Sequence, residues 1–371
     1  LDQPQVLRWA TMSKQTFRIA VIPGDGVGKE VVPVGLQVLE ALQELSNGTL
    51  AFEFEWFPWG SEYYLEHGVM MAADGLDQLK HFDAIYFGAV GWPDVPDHIA
   101  LWGLRLAICQ GFDQYACVRP GVLLPGIESP LRNGTPDTID FVVVRENSEG
   151  EYSGLGGRNL AARGAGREVA IQSALFTAHG CERIIRYAFE LAGNRKRKKV
   201  TSVTKSNAQQ YAMTLWDETF ARVALDYPAI ESESILVDAM AAKLVLRPES
   251  FDVIVGSNLF GDILSDLGGA IAGSLGIAAS ANIDPERRYP SMFEPVHGSA
   301  PDIAGLGIAN PIAAVWSAAM MLDHLGLRDE AVRVMRAIEW TTENGPKTPD
   351  LGGVATTRAL GKAMVEALRR E

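Results

Sequence analysis

The chain predicts an α/β protein on a largely parallel or mixed sheet, in two domains and without a Rossmann fold. Three observations carry this. Short apolar runs alternate with stretches of helical periodicity along the chain. At 371 residues it is long for one hydrophobic core, so two domains are the natural prior. The glycine loop Gly24-Asp25-Gly26-Val27-Gly28 fails the dinucleotide fingerprint, because its third glycine would fall at Lys29. Such a loop can still approach a ligand closely, so it is expected to line a cleft.

In chain order, 17–22 reads as an apolar strand, and 29–45, after the glycine loop, has helical periodicity. Residues 51–57 alternate as a strand, and 82–90 is nearly continuous in apolar residues. The Gly/Pro-rich stretch 119–136 reads as punctuation between elements. Further strands are expected at 141–145, 200–204, 234–237 and 252–255, with helices at 174–192 and 257–272. Three helices, 311–325, 328–344 and 354–370, close the chain on amphipathic to apolar faces.

Composition narrows the function. A net charge of −13 and a pI near 5.0 repel a phosphate backbone. The one basic run, 195–199, follows a helix end, where cations complement the dipole, and reads as a solvated loop. Cys109, Cys117 and Cys181 are odd in number without metal-ligand spacing, which suits a reducing, cytoplasmic setting. The uncharged stretch 303–322 contains Gly305, Gly307, Asn310 and Pro311, so it reads as a loop and a buried helix. Met12-Ser13-Lys14 looks like a natural start, and 1–11 is expected to be an upstream segment without a fold role.

The most informative motif is Asp262 and Asp266 in Gly-Asp-Ile-Leu-Ser-Asp. Four-residue spacing stacks both carboxylates on one helix face, where like charges disfavour the helix by a few tenths of a kcal/mol. A hard cation, Mg²⁺ or Mn²⁺, would relieve this, with Asp238 after the 234–237 strand as a third ligand. The alternative is a solvated face carrying two acids. Arg105, Arg119 and Arg145 would clamp a dicarboxylic acid if they converge; three separate surface cations remain the other reading. Lys205 and Tyr152 each follow a strand and have proton-transfer chemistry available. The segment Glu294-Pro-Val-His-Gly-Ser-Ala-Pro-Asp-Ile-Ala-Gly305 joins glycines, a histidine and an acid in a loop before a helix. An acid there can accept both hydroxyls of an adenosine ribose and would repel a 2′-phosphate.

With these residues in hand, the chain resembles the metal-dependent β-decarboxylating dehydrogenases: the isopropylmalate, isocitrate, homoisocitrate and tartrate/D-malate enzymes. The likeness runs from about Phe17 to the C-terminus. It implies a fold of two α/β domains around an active-site cleft, 12–110 plus 273–371 and 111–272. It implies a homodimer in which Lys205 and Asp238 enter the partner's site. It implies a metal on Asp238, Asp262 and Asp266, a clamp of Arg105, Arg119 and Arg145, and proton transfer by Lys205, Asp238 and Tyr152. For the cofactor it implies Glu294, His297, Gly298, Ser299, Ala300, Asp302, Ile303 and Asn310, with a possible requirement for K⁺.

Within that family, isocitrate enzymes hold the extra carboxylate with a Ser and an Asn where this chain has Ile99 and Leu101. Neither can donate a hydrogen bond, and a buried unpaired charge is prohibitive. Leu101 and Trp102 are expected to fill the space an isopropyl group would need, which points to (R)-malate or tartrate, although core packing is the plainer reading of Trp102. NADP-dependent relatives carry Lys-Tyr at Asp302-Ile303, so NAD is expected. The resemblance thus implies oxidative decarboxylation of small 2-hydroxy diacids, with 3-isopropylmalate dehydrogenase as the alternative and a catalytically silent regulatory subunit as a remote one.

Overall fold

The structure, a computed structural model, describes residues 14–370; the segment 1–11 lies outside the described residues. Strand β1 (Gln15–Gly24) leads through the glycine loop into α1 (Gly28–Leu45), followed by β2 (Leu50–Trp56). Short helices α2 (Ser61–His67) and α3 (Gly75–Leu79) precede β3 (Ala84–Ala89). One bent helix follows: α4 (Asp97–Ala100), a π-helical turn (Leu101–Arg105) and α5 (Leu106–Gly111). Then come β4 (Ala116–Val122), β5 (Asp140–Glu146), a hairpin of β6 (Gly156–Asn159) and β7 (Val169–Gln172), and α6 (Ala178–Gly193). The chain continues with β8 (Lys199–Thr204), α7 (Ala212–Ala224), β9 (Glu231–Leu236), α8 (Val237–Leu246), β10 (Val253–Gly256) and α9 (Asn258–Ile271). It closes with β11 (Ala279–Ile283), β12 (Ser291–Pro295), α10 (Ile312–His324), α11 (Arg328–Asn344) and α12 (Thr357–Leu368).

Ten strands form one mixed sheet, in the order β2-β1-β3-β12-β11-β4-β5-β10-β8-β9. The first four are mutually parallel, as are the last four. Between these runs β11 is antiparallel to both β12 and β4, and β4 is antiparallel to β5. Side chains alternate across the sheet, as the pleat requires. Ile19, Val21, Tyr86 and Phe293 face one core, under α1 and α10–α12, while Ala20, Ile22, Phe87 and Met292 face another with Leu104 and Ile108. Burial on both faces explains why 17–22 and 82–90 read as continuous apolar runs.

Most expected elements stand within a few residues of their predicted bounds. Three readings are corrected. The stretch 119–136 is not all punctuation, because residues 119–122 belong to β4. Pro120 is tolerated there because β11 pairs only with the 116–118 part of β4, leaving later residues paired on one side. The basic run is not simply solvated: Arg195 bridges Asp140 and Asp252, and Lys199 bridges Glu231 and Glu233. The 294–305 segment begins as strand, with Glu294 inside β12. Among the described residues no helix is long and apolar enough to cross a membrane, and Cys109, Cys117 and Cys181 are free and buried.

Candidate active site

Four elements meet where the sheet changes direction. Arg119 on β4 and Arg145 on β5 lie on neighbouring antiparallel strands, Arg145 opposite Cys117 and Arg119 opposite Val143. Arg105 ends the π turn, and α9 brings Asp262 and Asp266. All five line one cavity of ≈ 230 Å³ with Leu101, Tyr152, Glu294, His297 and Gly298. The three arginines are at most 7% exposed. Guanidinium groups so buried need counter-charges or ligands.

Each has one. Arg105 donates through Nε to Glu294 Oε1 at 2.8 Å and through Nη2 to Asn282 Oδ1 at 3.2 Å. Arg119 Nη1 donates to Asp262 Oδ1 at 2.9 Å and to Ser265 Oγ at 2.8 Å, and lies 3.6 Å from Asp266. Arg145 donates to Asn258 Oδ1 through Nε and Nη2, at 3.0 and 2.7 Å, and its Nη1 pairs with Asp262. Asn258, Asp262 and Asp266 thus form one four-residue ladder on α9, a spacing that sequence reading used for the acids and missed for the amide.

The charges set the proton affinities. Burial pushes the Asp262 carboxyl up, but Arg145, Arg119 and Arg105 together hold it below the usual carboxylate range. Asp266 moves the other way: burial, with the Asp262 charge, outweighs Arg119 and raises it. Tyr152 Oη donates to Asp262 Oδ2 at 3.3 Å, and the Arg145 guanidinium lies 5.2 Å from the Tyr152 ring centre. Burial and then the Asp262 charge keep the phenol protonated well into the basic range.

Lys205 and Asp238 are brought together, but elsewhere. They follow the carboxyl ends of β8 and β9, with Lys205 Nζ 2.7 Å from Asp238 Oδ1, and neither lines the cavity. The hydrogen bond from Lys205 holds the Asp238 carboxyl down. Among the described residues no three His, Cys, Asp or Glu side chains converge as metal ligands. Asp262 and Asp266 still fit a hard divalent cation, since both offer carboxylate oxygens to the same cavity.

Trp102 corrects a sequence expectation. It does not line the cavity; its ring lies over Gly154, 3.0 Å from where a Cβ would stand, and that glycine has φ +72°. Leu101 is the apolar wall. The glycine loop does line a cleft, a cavity of ≈ 580 Å³ separate from the one holding the arginines. Val27 N donates to the Ser299 carbonyl, and a Cβ on Gly26 would fall 2.0 Å from that oxygen, so the loop backs the 297–305 segment.

That segment is irregular over 297–300 and turns over 301–305. Ala300 sits at φ +41°, uncommon for a non-glycine residue. His297 Nε2 and Glu30 Oε2 are shielded from water with no hydrogen-bond partner among the described residues, while Glu30 Oε1 accepts from Gly305 N. Burial lowers the His297 pKa and keeps the imidazole neutral. Asp302 is exposed. Asn310 is engaged: its Nδ2 donates to Asp350, and its Oδ1 accepts from Ile312 N at the start of α10. These orphaned polar atoms beside an exposed acid suit a polar ligand such as a dinucleotide.

Residues 18–368 match the family described as isocitrate/isopropylmalate dehydrogenase. A probable tartrate dehydrogenase/decarboxylase of Agrobacterium vitis is 61% identical over 352 residues, covering 95% of this chain and 96% of the relative. The D-malate dehydrogenase (decarboxylating) of Escherichia coli K12 is 54% identical over 363 residues, covering 96% and 99%. A tartrate dehydrogenase/decarboxylase of Pseudomonas putida is 53% identical over 367 residues, covering 97% and 100%. The crystal structure of isocitrate dehydrogenase from Methylococcus capsulatus superposes with a TM-score of 0.85 at 36% identity, covering 95% of this chain and 99% of that one.

Proposed function

The chain belongs to the isocitrate/isopropylmalate dehydrogenase family, and from that premise we propose that it oxidises and decarboxylates small 2-hydroxy diacids. (R)-Malate goes to pyruvate and CO₂, and tartrates go to oxaloglycolate or D-glycerate. The observation that carries this reading is the cavity itself, where three buried guanidinium groups and two carboxylates meet around ≈ 230 Å³ of space. The guanidinium groups suit a substrate carboxylate, and the acids suit a hard cation beside it.

When bound, a divalent cation supplies the charge that acidifies the substrate hydroxyl, and NAD supplies the hydride acceptor. Asp262 and Asp266 would hold the cation, Mn²⁺ or Mg²⁺, with the partner subunit's Asp238. Arg105, Arg119 and Arg145 orient the carboxylate that departs. The partner subunit's Lys205, entering with Asp238, would take the hydroxyl proton in its uncharged amine form. Tyr152, which keeps its proton by burial beside Asp262, returns one to the third carbon. Glu294, His297, Gly298, Ser299, Ala300, Asp302, Ile303 and Asn310 would seat the cofactor, and exposed Asp302 disfavours a 2′-phosphate.

The chain is read as two lobes, 12–110 plus 273–371 and 111–272, acting as a homodimer. Support comes from the Lys205–Asp238 pair outside the cavity and from apolar groups left in water. Ile171 of the β6–β7 hairpin is 63% exposed, Leu246 75% and Ile263, beside Asp262, 55%.

The test follows NADH formation with (R)-malate, a tartrate and 3-isopropylmalate side by side, in Mn²⁺ and K⁺, with an EDTA control. Turnover of the smaller acids, abolished by EDTA, is the expected result. Isopropylmalate is the arm to watch, because Trp102 does not fill the cavity and its exclusion falls to Leu101. Preference for it would replace the proposed substrate.

A further inference from the structure

Beyond the cofactor role that the resemblance implies for it, Glu294 is 4% exposed and bound to a clamp arginine. Its Oε1 lies 2.8 Å from Arg105 Nε, 2.7 Å from Nη2 and 2.7 Å from Asn282 Nδ2. Asn282 Oδ1 in turn accepts from Arg105 Nη2 and, at 3.1 Å, from Asn147 Nδ2. Two acceptors therefore occupy Nε and Nη2, and among the described residues Arg105 Nη1 makes no hydrogen bond. Burial works against the charge on Arg105, and Glu294 overrides it, holding the guanidinium protonated.

We propose that Glu294, with Asn282, is a positioning residue that moderates the carboxylate clamp: it turns one face of Arg105 to the substrate and offsets its charge, so that the held carboxylate can leave. This rests on the function proposed above. After oxidation the substrate is a β-keto acid. The bond from the third carbon to the departing carboxylate breaks, and its electron pair forms the C2–C3 double bond. The negative charge moves to the C2 oxygen, CO₂ leaves neutral, and a proton is later added at the third carbon. A cation held against the departing carboxylate therefore stabilises the starting acid more than the transition state. Three uncompensated guanidinium groups would bind tightly and release slowly. Glu294 against Arg105, like Asp262 against Arg119 and Arg145, reduces that ground-state grip.

The test is Glu294→Gln, which keeps an oxygen acceptor for Arg105 and removes the charge. The KM for (R)-malate falls roughly fivefold, the effect of one partly screened charge, and kcat falls with it. The ¹³C kinetic isotope effect at the departing carboxylate rises, because decarboxylation becomes more rate-limiting. Glu294→Asp restores the wild-type pattern. A raised KM with an unchanged isotope effect would overturn the proposal and leave Glu294 as mere support for Arg105. Asn282→Ala is the second variant, since it frees an Nη2 hydrogen without changing charge. It shifts KM and the isotope effect the same way by a smaller factor, and a raised KM again counts against the idea. If the wild-type enzyme turns over neither malate nor tartrate, the functional reading fails first; if it does and the variants shift KM upward, only the role of Glu294 fails.

Discussion

At the scale of single residues, the site combines groups that sequence reading could name with partners it could not. The α9 acids were legible from a four-residue spacing, whereas the packing of Trp102 on Gly154 depends on two segments far apart in the chain. That contact is testable. Gly154→Ala puts a methyl group into the Trp102 ring at a left-handed position, and is expected to destabilise the fold by about 1–3 kcal/mol. Because Tyr152 is two residues away, kcat should fall too. Thermal melting and steady-state rates read the two effects separately. His324 offers a pH test. Burial, and then the Arg287 charge, lower its pKa to about 4 from an ordinary 6.5. Its contribution to stability is therefore complete above pH 6.5 and is lost as pH falls through 4. His324→Asn should flatten the melting temperature between those values, by a difference on the order of 2–3 kcal/mol.

At the scale of elements, β4, β11 and β12, which help build the site, were missed in the sequence, as was the exposed β6–β7 hairpin, while β5, which carries Arg145, was legible. β11 and β12 are five residues each and place Ser280, Asn282 and Glu294 inside the molecule. β4 hides behind Arg119 and Pro120, which look like a loop. Polar residues buried for chemistry break the apolar pattern that marks a strand, so the functional elements were less legible than α11, whose predicted bounds of 328–344 coincide with the observed helix. The same strands face two ways. Arg119, Ser280 and Asn282 serve the active site, while Val118, Ala281 and Ile283 line a separate cavity of ≈ 790 Å³ against α6, α10 and α11. Leu101 and Arg105, at the two ends of the π turn, are four residues apart and line the same cavity.

At the scale of the whole molecule, the separation of Lys205 and Asp238 from the arginine cavity makes assembly part of the proposed chemistry. If the partner supplies these groups, Lys205→Met and Asp262→Asn are each inactive alone. After mixing and subunit exchange, activity recovers towards a quarter of wild type, since one dimer in two is mixed and holds one intact site. No recovery, in a preparation shown by light scattering to have exchanged, would place both groups in the same site of one chain. The order of strands carries a different consequence, for how the protein is made. β3, buried along its whole length, is flanked by β1 from the start of the chain and by β12 from near its end. Ala89 and Ser291 lie about 200 residues apart. At a synthesis rate of ~5–20 residues per second, the ribosome leaves an apolar strand edge unsealed for roughly 10–40 s. Until about four-fifths of the message has been read, the nascent chain presents a template for the wrong neighbour.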